Sequence, residues 1–415
     1  MDIFITNYWK HPSNTNFVLI EKEISPLISI DIWFKAGIAF EEKNKVGSAH
    51  LLEHIIFKGN DTLKPGEFDL KIESLGGSSN ASTGYDDVHY FVLVPPKNLK
   101  KALYLLVDLV LKPKFDLDEF LIEKEVVIEE INQSNDQPDE RIFNYFLQST
   151  WEKHFYGKSI LGKEKNIRNL KLCDLENFHK TNYVASNTCI AIAGNLPKDI
   201  MKIISDCKID YPYKMEPKHN QNKSIFKINT GRKKIFDQQI ELARILMAWQ
   251  IPNLSKQKIN LGFEILCSIL SDGRNSKFKR PLVEEKDYVE SIYADIIPGE
   301  FGSLFFIESC CLSENLEIVE NKINSILESF TKREDISNKE LQKAINIIKS
   351  NYIFNLETSA QLSAYFGNRL LWGRINPIAD LEENLVYWSK LDNIKKLLKF
   401  LSKDKFTLIV DKEKK

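Results

Sequence analysis

The chain of 415 residues is 43% hydrophobic and 28% charged, with a formal net charge of −1. This composition is typical of an ordinary globular protein, and the balanced charge gives no reason to expect a nucleic-acid or membrane-surface partner. The length is too great for one hydrophobic core, so we expect two domains of roughly 200 residues each.

The first half of the sequence predicts a series of strands and helices. Residues 27–36 alternate in character and are rich in β-branched and aromatic side chains, which is typical of a strand. Ser48 is the expected N-cap of a helix that ends near Gly59. The later elements are, in chain order, a helix at 66–76, a hairpin that turns near Gly84–Asp87, helices at 98–111 and 116–133, and a buried strand at 187–197.

A change of composition separates the two halves. Residues 211–224 are polar, contain two prolines and have no hydrophobic period, as expected of a linker. The elements beyond them repeat the first half, with a strand at 243–253, a helix at 260–270, a strand at 303–312 and a helix at 314–330. A repeat of about 200 residues indicates two homologous α/β domains rather than a solenoid. We therefore expect an N-terminal domain at 1–210, a linker at 211–228 and a C-terminal domain at 229–415.

Residues 47–60, GSAHLLEHIIFKGN, contain the first candidate for chemistry. His50, Glu53 and His54 fall at positions i, i+3 and i+4, which share one helix face. Two imidazoles at this spacing can bind one zinc ion, and the glutamate between them can take a proton from a zinc-bound water. The order is H-x-x-E-H. The alternative is a core helix with hydrogen-bonded histidines. The matching helix at 260–270 has no histidine, so we expect metal in the first half alone.

A catalytic zinc site requires a third protein ligand, and residues 119–133 are its best source. Glu123 and Glu130 fall at i and i+7 of one helical stripe whose other positions are valines. Two carboxylates on such a stripe are costly unless other groups compensate their charge. Either glutamate could reach the metal, and periodicity does not choose between them. The alternative is that both are partly exposed and paired with lysines.

Three segments, GSAHLLEHIIFKGN, LGGSSNASTGYDDVHYF and EKEVVIEEI, resemble the pitrilysin/insulinase-type zinc peptidases, the inverzincins, and among them the short processing-peptidase-like subunits. The resemblance implies an α+β fold of two homologous α/β domains, each a mostly antiparallel sheet covered by helices. It also implies a zinc metalloendopeptidase. In this family the third ligand follows the second histidine by about 76 positions, which assigns Glu130 to the zinc. Glu123 would assist catalysis or orient a ligand, and Glu53 would be the base.

The resemblance also predicts how a peptide is held. Asn80 and Ala81 match the family's N-A-x-T segment, an edge strand that pairs with an extended peptide through backbone hydrogen bonds. Without the resemblance, Asn80 reads equally well as a turn residue after two glycines.

The second domain departs from the family pattern. Members that act alone usually carry an arginine and a tyrosine there, which bind substrate and stabilise the oxyanion. Aligned on Ser276, this sequence has Val283 and Glu290 at those positions. A chain of this length also provides half of the family's four-domain chamber. The resemblance therefore implies a dimer, in which a paralogous subunit is favoured over a second copy of this chain. The alternative is a non-catalytic structural or assembly subunit of the same fold.

Cysteines and the N-terminus bear on location. The six cysteines form no C-x-x-C pair and lie mostly in apolar surroundings, which is typical of reduced, buried thiols. The first residues lack a positive segment followed by an apolar run, so no signal peptide is expected. No stretch approaches the ~20 apolar residues of a membrane-spanning helix. These features predict a cytoplasmic protein without a membrane partner.

Overall fold

Two mixed β-sheets, each covered by helices, form the framework of the protein. The computed structural model describes residues 4–212, 227–333, 335–401 and 404–412. Each sheet contributes to its own hydrophobic core, and most neighbouring strands are antiparallel. The expected fold class is therefore confirmed: the chain is an α+β protein of two domains.

The helices predicted from Ser48 and at 66–76, 98–111, 116–133, 260–270 and 314–330 are present, and the described residues form further helices that were not predicted. In chain order they are α1 (Ser48–Ile56), α2 (Glu67–Ser74), α3 (Leu99–Leu111), α4 (Leu117–Asp136), α5 (Pro138–Trp151), α6 (Glu164–Asn169), α7 (Leu172–Asn182), α8 (Ile200–Ser205), α9 (Gln257–Ser271), α10 (Leu316–Arg333), α11 (Asn338–Phe354), α12 (Ser359–Leu371), α13 (Pro377–Trp388) and α14 (Leu391–Leu401). The prediction of Ser48 as the N-cap is wrong, because Gly47 caps the helix and Ser48 is its first residue; the helix ends at Ile56, three residues before Gly59.

The strands fall into one sheet for each unit. The first sheet has the order β1-β2-β6-β3-β5-β4, with β1 (Ile5–Lys10), β2 (Asn16–Glu21), β3 (Ile28–Phe34), β4 (Ser78–Thr83), β5 (Val88–Val94) and β6 (Thr188–Gly194). Its strands pair antiparallel except for β2 with β6. The second sheet has the order β7-β11-β8-β10-β9, with β7 (Gly231–Phe236), β8 (Ala243–Ile251), β9 (Ser291–Ile297), β10 (Ser303–Cys311) and β11 (Phe406–Asp411). There the parallel pair is β7 with β11.

The first sheet is covered on both faces, because successive side chains of a strand point to opposite sides. Ile30 and Ile32 of β3 belong to the core that also contains residues of α1 and α3. Asp31 and Trp33 alternate with them and face the other way. Helix α12 packs on β3 and β6, and a Cβ at its Gly367 would lie 2.5 Å from Nε1 of Trp33. Because Gly367 has no Cβ, α12 can pack closely against this second face of the sheet.

Two segments belong with the unit that is distant from them in sequence. The first compact unit takes its described residues from Met1–Ser134, Lys158–Lys223 and Phe354–Pro377, and the second from Asn135–Gly157, Ser224–Ile353 and Ile378–Lys415. The predicted division at 1–210 and 229–415 assigns α5 to the first domain and α12 to the second. In the structure, α12 packs on the first sheet and α5 on the second. The reason is physical: an amphipathic pattern identifies a covering helix without identifying the sheet that it covers. Most of the predicted linker at 211–228 lies outside the described residues.

Two further observations concern the chain as a whole. Across the described ranges, none of the helices combines the length with the apolar character that crossing a bilayer requires. The six cysteines are unpaired, and five of them are buried while Cys173 is exposed.

Candidate metal centre

Turns with glycine in the left-handed conformation flank α1, the helix that carries the H-x-x-E-H pattern. Gly47 precedes it with φ +96°, and its N–H donates to the Glu41 carboxylate at 3.1 Å. The same carboxylate accepts the N–H of Ala49 at 2.8 Å, so it satisfies donors that a helix start leaves free. Beyond the helix, Gly59 has φ +100°, and a Cβ there would lie 2.2 Å from the Leu63 carbonyl oxygen. Both turns therefore favour glycine.

Helix α1 divides its side chains between the core and the candidate site. Its apolar side chains are buried in the core of the first unit: Leu51, Leu52, Ile55 and Ile56. His50, Glu53 and His54 are partly exposed and lie outside that core. The helical spacing thus places the three polar side chains together on the side of the helix that faces away from the core.

Glu130 of α4 meets the two histidines of α1. Its Oε2 lies 3.8 Å from Nε2 of His50, and its Oε1 lies 3.7 Å from Nε2 of His54. One ligand atom from each of the three residues lies within 4.8 Å of the other two. Ligand atoms at ~2.0–2.1 Å from a tetrahedral ion stand ~3.3 Å apart, so the two separations between Glu130 and the imidazoles are close to those of a shared ion. Two imidazole nitrogens and one carboxylate oxygen also match the donor set of a catalytic zinc site.

Glu123 has a different environment from Glu130, two turns further along the same helix. Its side chain is 6% exposed, against 37% for Glu130. Its Oε2 accepts a hydrogen bond from Nδ1 of His54 at 2.9 Å, and its Oε1 lies 2.6 Å from Nζ of Lys58. Burial alone would raise the pKa of Glu123, but the bonds from His54 and Lys58 outweigh it, so the pKa is lowered. Both oxygens of Glu123 are therefore occupied, while those of Glu130 face the two imidazoles.

The histidines differ in their affinity for protons. Burial, with a smaller contribution from the nearby His54, lowers the pKa of His50 to about 4. Burial acts on His54 in the same direction, but its bond to Glu123 and the charge of Glu130 raise its pKa overall. His50 is thus neutral near pH 7, with a lone pair available for a metal.

Glu53 lies between the two histidines and touches the edge strand. Thr83, the last residue of β4, donates its hydroxyl to Oε2 of Glu53 at 2.5 Å. Burial raises the pKa of the Glu53 carboxyl, and this effect exceeds the opposing effects of Thr83 and His54. A carboxylate whose pKa is raised binds a proton more readily, as a general base must.

The predicted peptide-binding residues lie on β4, at one edge of the first sheet. Asn80 and Ala81 pair with Phe91 and Tyr90 of β5, and β4 has no strand on its other side within the described chain. The N–H of Ala81 is bonded to Oδ1 of Asn80 at 2.9 Å. This N–H therefore points away from the ladder, towards the open edge.

Two contacts of the site were not predicted from the sequence. Thr83 belongs to the N-A-x-T segment, and Lys58 follows His54 by four residues, in the turn after α1. Each lies within a segment that resembles the family. Their partners Glu53 and Glu123 are 30 and 65 residues away from them, beyond the reach of local periodicity.

Val283 and Glu290 lie in the second unit. Val283 is partly buried in a helical turn at Arg280–Glu284. Glu290 is exposed just before β9, and its N–H donates to the carbonyl of Cys310 at 2.9 Å. Neither side chain offers the positive charge or hydroxyl group that the family pattern has at its position.

Two family models match successive parts of the chain. Residues 16–164 match the family model described as "Insulinase (Peptidase family M16)", and residues 169–348 match "Peptidase M16 inactive domain". A Helicobacter pylori protein named "Zinc protease PqqE" is 27% identical over 373 residues, which are 87% of this chain and 82% of that protein. An Arabidopsis thaliana protein named "Probable mitochondrial-processing peptidase subunit beta, mitochondrial" is 24% identical over 368 residues, 85% of this chain and 68% of that protein.

Solved structures share the fold over the full length. The crystal structure of a protease from Helicobacter pylori has a TM-score of 0.89 at 23% identity, and the match covers 99% of this chain and 100% of that one. A Pseudomonas fluorescens structure described as a peptidase M16 inactive domain has a TM-score of 0.83 at 17% identity, with 99% and 98% covered. By its two successive family matches and its fold, the chain belongs to peptidase family M16, the insulinase family.

Proposed function

We propose that this chain is the catalytic subunit of a zinc metalloendopeptidase that hydrolyses peptides or unfolded polypeptide segments. The observation that carries the proposal is the approach of His50, His54 and Glu130, whose ligand atoms lie within 4.8 Å of one another. These three residues would hold one zinc ion. Zinc bound there would supply Lewis-acid chemistry, which lowers the pKa of a bound water and polarises a carbonyl group.

Glu53 is the proposed general base. It accepts a proton from the water that attacks the scissile carbonyl and later donates that proton to the departing amine. Thr83 donates to Oε2 of Glu53, which leaves Oε1 free to hold the proton. The raised pKa of Glu53 favours this transfer.

Glu123 is proposed to act through a metal ligand. Its bond to Nδ1 of His54 fixes the tautomer of that imidazole, so the lone pair is on Nε2, the atom that faces Glu130. Carboxylates in this position also raise the basicity of the ligand that they orient.

The substrate is proposed to bind as an extended strand beside β4. Ala81 directs its N–H towards the open edge, where Asn80 now accepts it, and a peptide carbonyl would take the place of that side chain. Backbone pairing of this kind places few demands on side chains. Thr83 links the end of the same strand to Glu53, so the strand leads to the proposed base.

A dimer is proposed as the complete enzyme, and a heterodimer with a paralogous subunit is favoured over a homodimer. Val283 and Glu290 lack the chemistry of the arginine and tyrosine that lone-acting members carry, so a partner would supply the second-domain contacts. The Arabidopsis thaliana relative is named as a subunit, which agrees with this proposal.

The unpaired cysteines suit a reducing compartment, and the cytoplasm is the proposed location.

Glu53→Gln tests the proposed chemistry in the complete assembly. The substitution keeps the shape of the side chain but removes the base, so zinc content should be unchanged and kcat should fall by about 10²–10⁴-fold. Glu129→Gln, an exposed change on α4, is the control and should preserve both. Unchanged hydrolysis in Glu53→Gln would exclude the base assignment. A wild-type assembly that binds zinc and hydrolyses no peptide would favour the non-catalytic subunit.

A further inference from the structure

Lys58 contacts the carboxylate that orients one of the proposed metal ligands. It follows His54 by four residues, so both side chains leave the same side of the helix and its C-terminal turn. Nζ of Lys58 lies 2.6 Å from Oε1 of Glu123, while Oε2 of Glu123 accepts the bond from His54. The carboxylate thus bridges the lysine and the histidine, with one oxygen for each.

The backbone that follows Lys58 is held firmly. Gly59 reverses the chain in the left-handed conformation, and its carbonyl accepts the N–H of Lys114 at 3.0 Å. The side chain of Asn60 accepts from the N–H of Leu63 at 3.0 Å and donates to Asp108 at 2.9 Å. These bonds fix the position from which the Lys58 side chain extends, so less conformational entropy is lost when it meets Glu123.

Burial makes this contact necessary. The side chain of Glu123 is 6% exposed, and a buried carboxylate is costly unless charge and hydrogen bonds compensate it. His54 supplies one hydrogen bond, and Lys58 supplies both the second bond and the opposite charge. Without the ammonium group, Oε1 of Glu123 would have lost its charged partner. The carboxylate would then be better solvated if it rotated towards water, and the imidazole of His54 would lose its fixed orientation.

We propose that Lys58 is a positioning residue of the metal centre: it fixes the carboxylate of Glu123 and, through it, directs Nε2 of His54 towards the ion. This inference rests on the proposed zinc site at His50, His54 and Glu130. It adds a third layer to that site, in which ligand, carboxylate and lysine form one chain of contacts. Lys58 does not touch the reacting atoms in this proposal. Its effect is on zinc affinity and on the geometry of the ligand.

The test measures zinc affinity of the full-length chain by competition with a chromophoric chelator. Lys58→Met keeps the length and packing of the stem but removes the charge, and zinc affinity should fall about tenfold, at the lower end of the 10–100-fold range for outer partners. Lys58→Arg retains a donor and a charge, so its affinity should lie between those of Lys58→Met and the wild type. Lys64→Met, at an exposed lysine six residues further on, should bind zinc as the wild type does.

A double-mutant cycle separates positioning from a general effect on the fold. In a Glu123→Gln background the carboxylate is already absent, so Lys58→Met should weaken zinc binding no further. Wild-type affinity in Lys58→Met, or an equal loss in both backgrounds, would overturn the proposal. Thermal unfolding of the metal-free variants identifies any that do not fold, and Lys58→Arg then carries the comparison. A wild-type chain that binds no zinc would instead overturn the proposed function, so the two failures are distinguishable.

Discussion

Glu123 and Glu130 occupy one stripe of one helix, yet their surroundings differ. Glu123 is enclosed by His54 and Lys58, whereas Glu130 is more exposed and faces both imidazoles. Periodicity could place the two carboxylates on the same side and could not choose between them. The choice depends on contacts across 65 or more residues, since Lys58 and the histidines come from α1.

Zinc affinity should distinguish the two glutamates. Glu123→Gln should weaken zinc binding ~10–100-fold, as expected when a partner that orients a ligand is lost. Glu130→Gln should weaken it more, because it would replace a proposed charged ligand of the ion with a neutral amide. Chelator competition on the two full-length variants measures the difference. A larger loss in Glu123→Gln would mean that the two roles have been exchanged.

Local spacing is sufficient to identify His50, Glu53 and His54 as a group, because i, i+3 and i+4 share a helix face. It does not identify Thr83 as the partner of Glu53, although Thr83 belongs to the N-A-x-T segment. That contact depends on where the end of β4 meets α1, which is a property of the tertiary structure.

At the scale of elements, β4 is the part of the candidate site whose backbone is proposed to pair with the substrate. Residues of a paired edge strand alternate between the ladder and the open edge. Ala81 directs its N–H to the edge, while Gly84, three residues later, directs its N–H to the carbonyl of Asp87 across the hairpin. The N–H of Ser82, two residues before Gly84, therefore also points into the ladder.

Proline substitutions on β4 should separate peptide binding from folding. Ala81→Pro removes an N–H that the ladder does not use, so the midpoint of thermal unfolding should change little, while KM for a peptide should rise because an edge donor is lost. Ser82→Pro removes a ladder donor and should lower the unfolding midpoint. Peptide kinetics and thermal unfolding of both variants check this. Normal KM in a folded Ala81→Pro protein would contradict strand pairing at this edge.

Helix α12 packs on a sheet that the sequence alone could not identify. Within the first unit, Asn368 of the helix and Trp372 just after it donate to the partly buried Asp87 at 2.9 and 3.0 Å. The sequence order predicts that such a helix belongs with its neighbours in the second half. The alternation of Asp31 and Trp33 with isoleucines indicates a second sheet face, but nothing local specifies which helix covers it.

The molecule as a whole contains histidines buried in both units, and these make its stability depend on pH. His179 in the first unit and His154 in the second are buried, and burial lowers the pKa of each to about 4. Nε2 of His179 donates to the carbonyl of Val110 at 2.9 Å in the neutral form. Between their ordinary pKa of 6.5 and about 4, the unfolded state binds more protons than the folded state.

The contribution of these two histidines to the free energy of unfolding should therefore be fully retained above pH 6.5 and fall as the pH falls towards 4. For His179 alone the loss between pH 7.5 and 5 is about 2 kcal/mol. Urea unfolding at the two pH values measures it, and His179→Gln should show a smaller loss than the wild type. An identical loss in wild type and variant would mean that His179 titrates normally in the folded state.

The duplicated architecture was predictable because the same order of strands and helices recurs after about 200 residues. The absence of histidine from α9 also predicted that the second half lacks the zinc motif. How a partner would complete the site was not predictable, since it depends on a second chain and not on the pattern of this one.

Zinc K-edge X-ray absorption, combined with metal analysis of the chain purified without chelators, tests the proposed metal centre most directly. About one zinc per chain is expected, with nitrogen and oxygen ligands at ~2.0–2.1 Å and the scattering pattern of two imidazoles. Far less than one zinc per chain after supplementation, or sulfur ligands at ~2.3 Å, would contradict a site made by His50, His54 and Glu130.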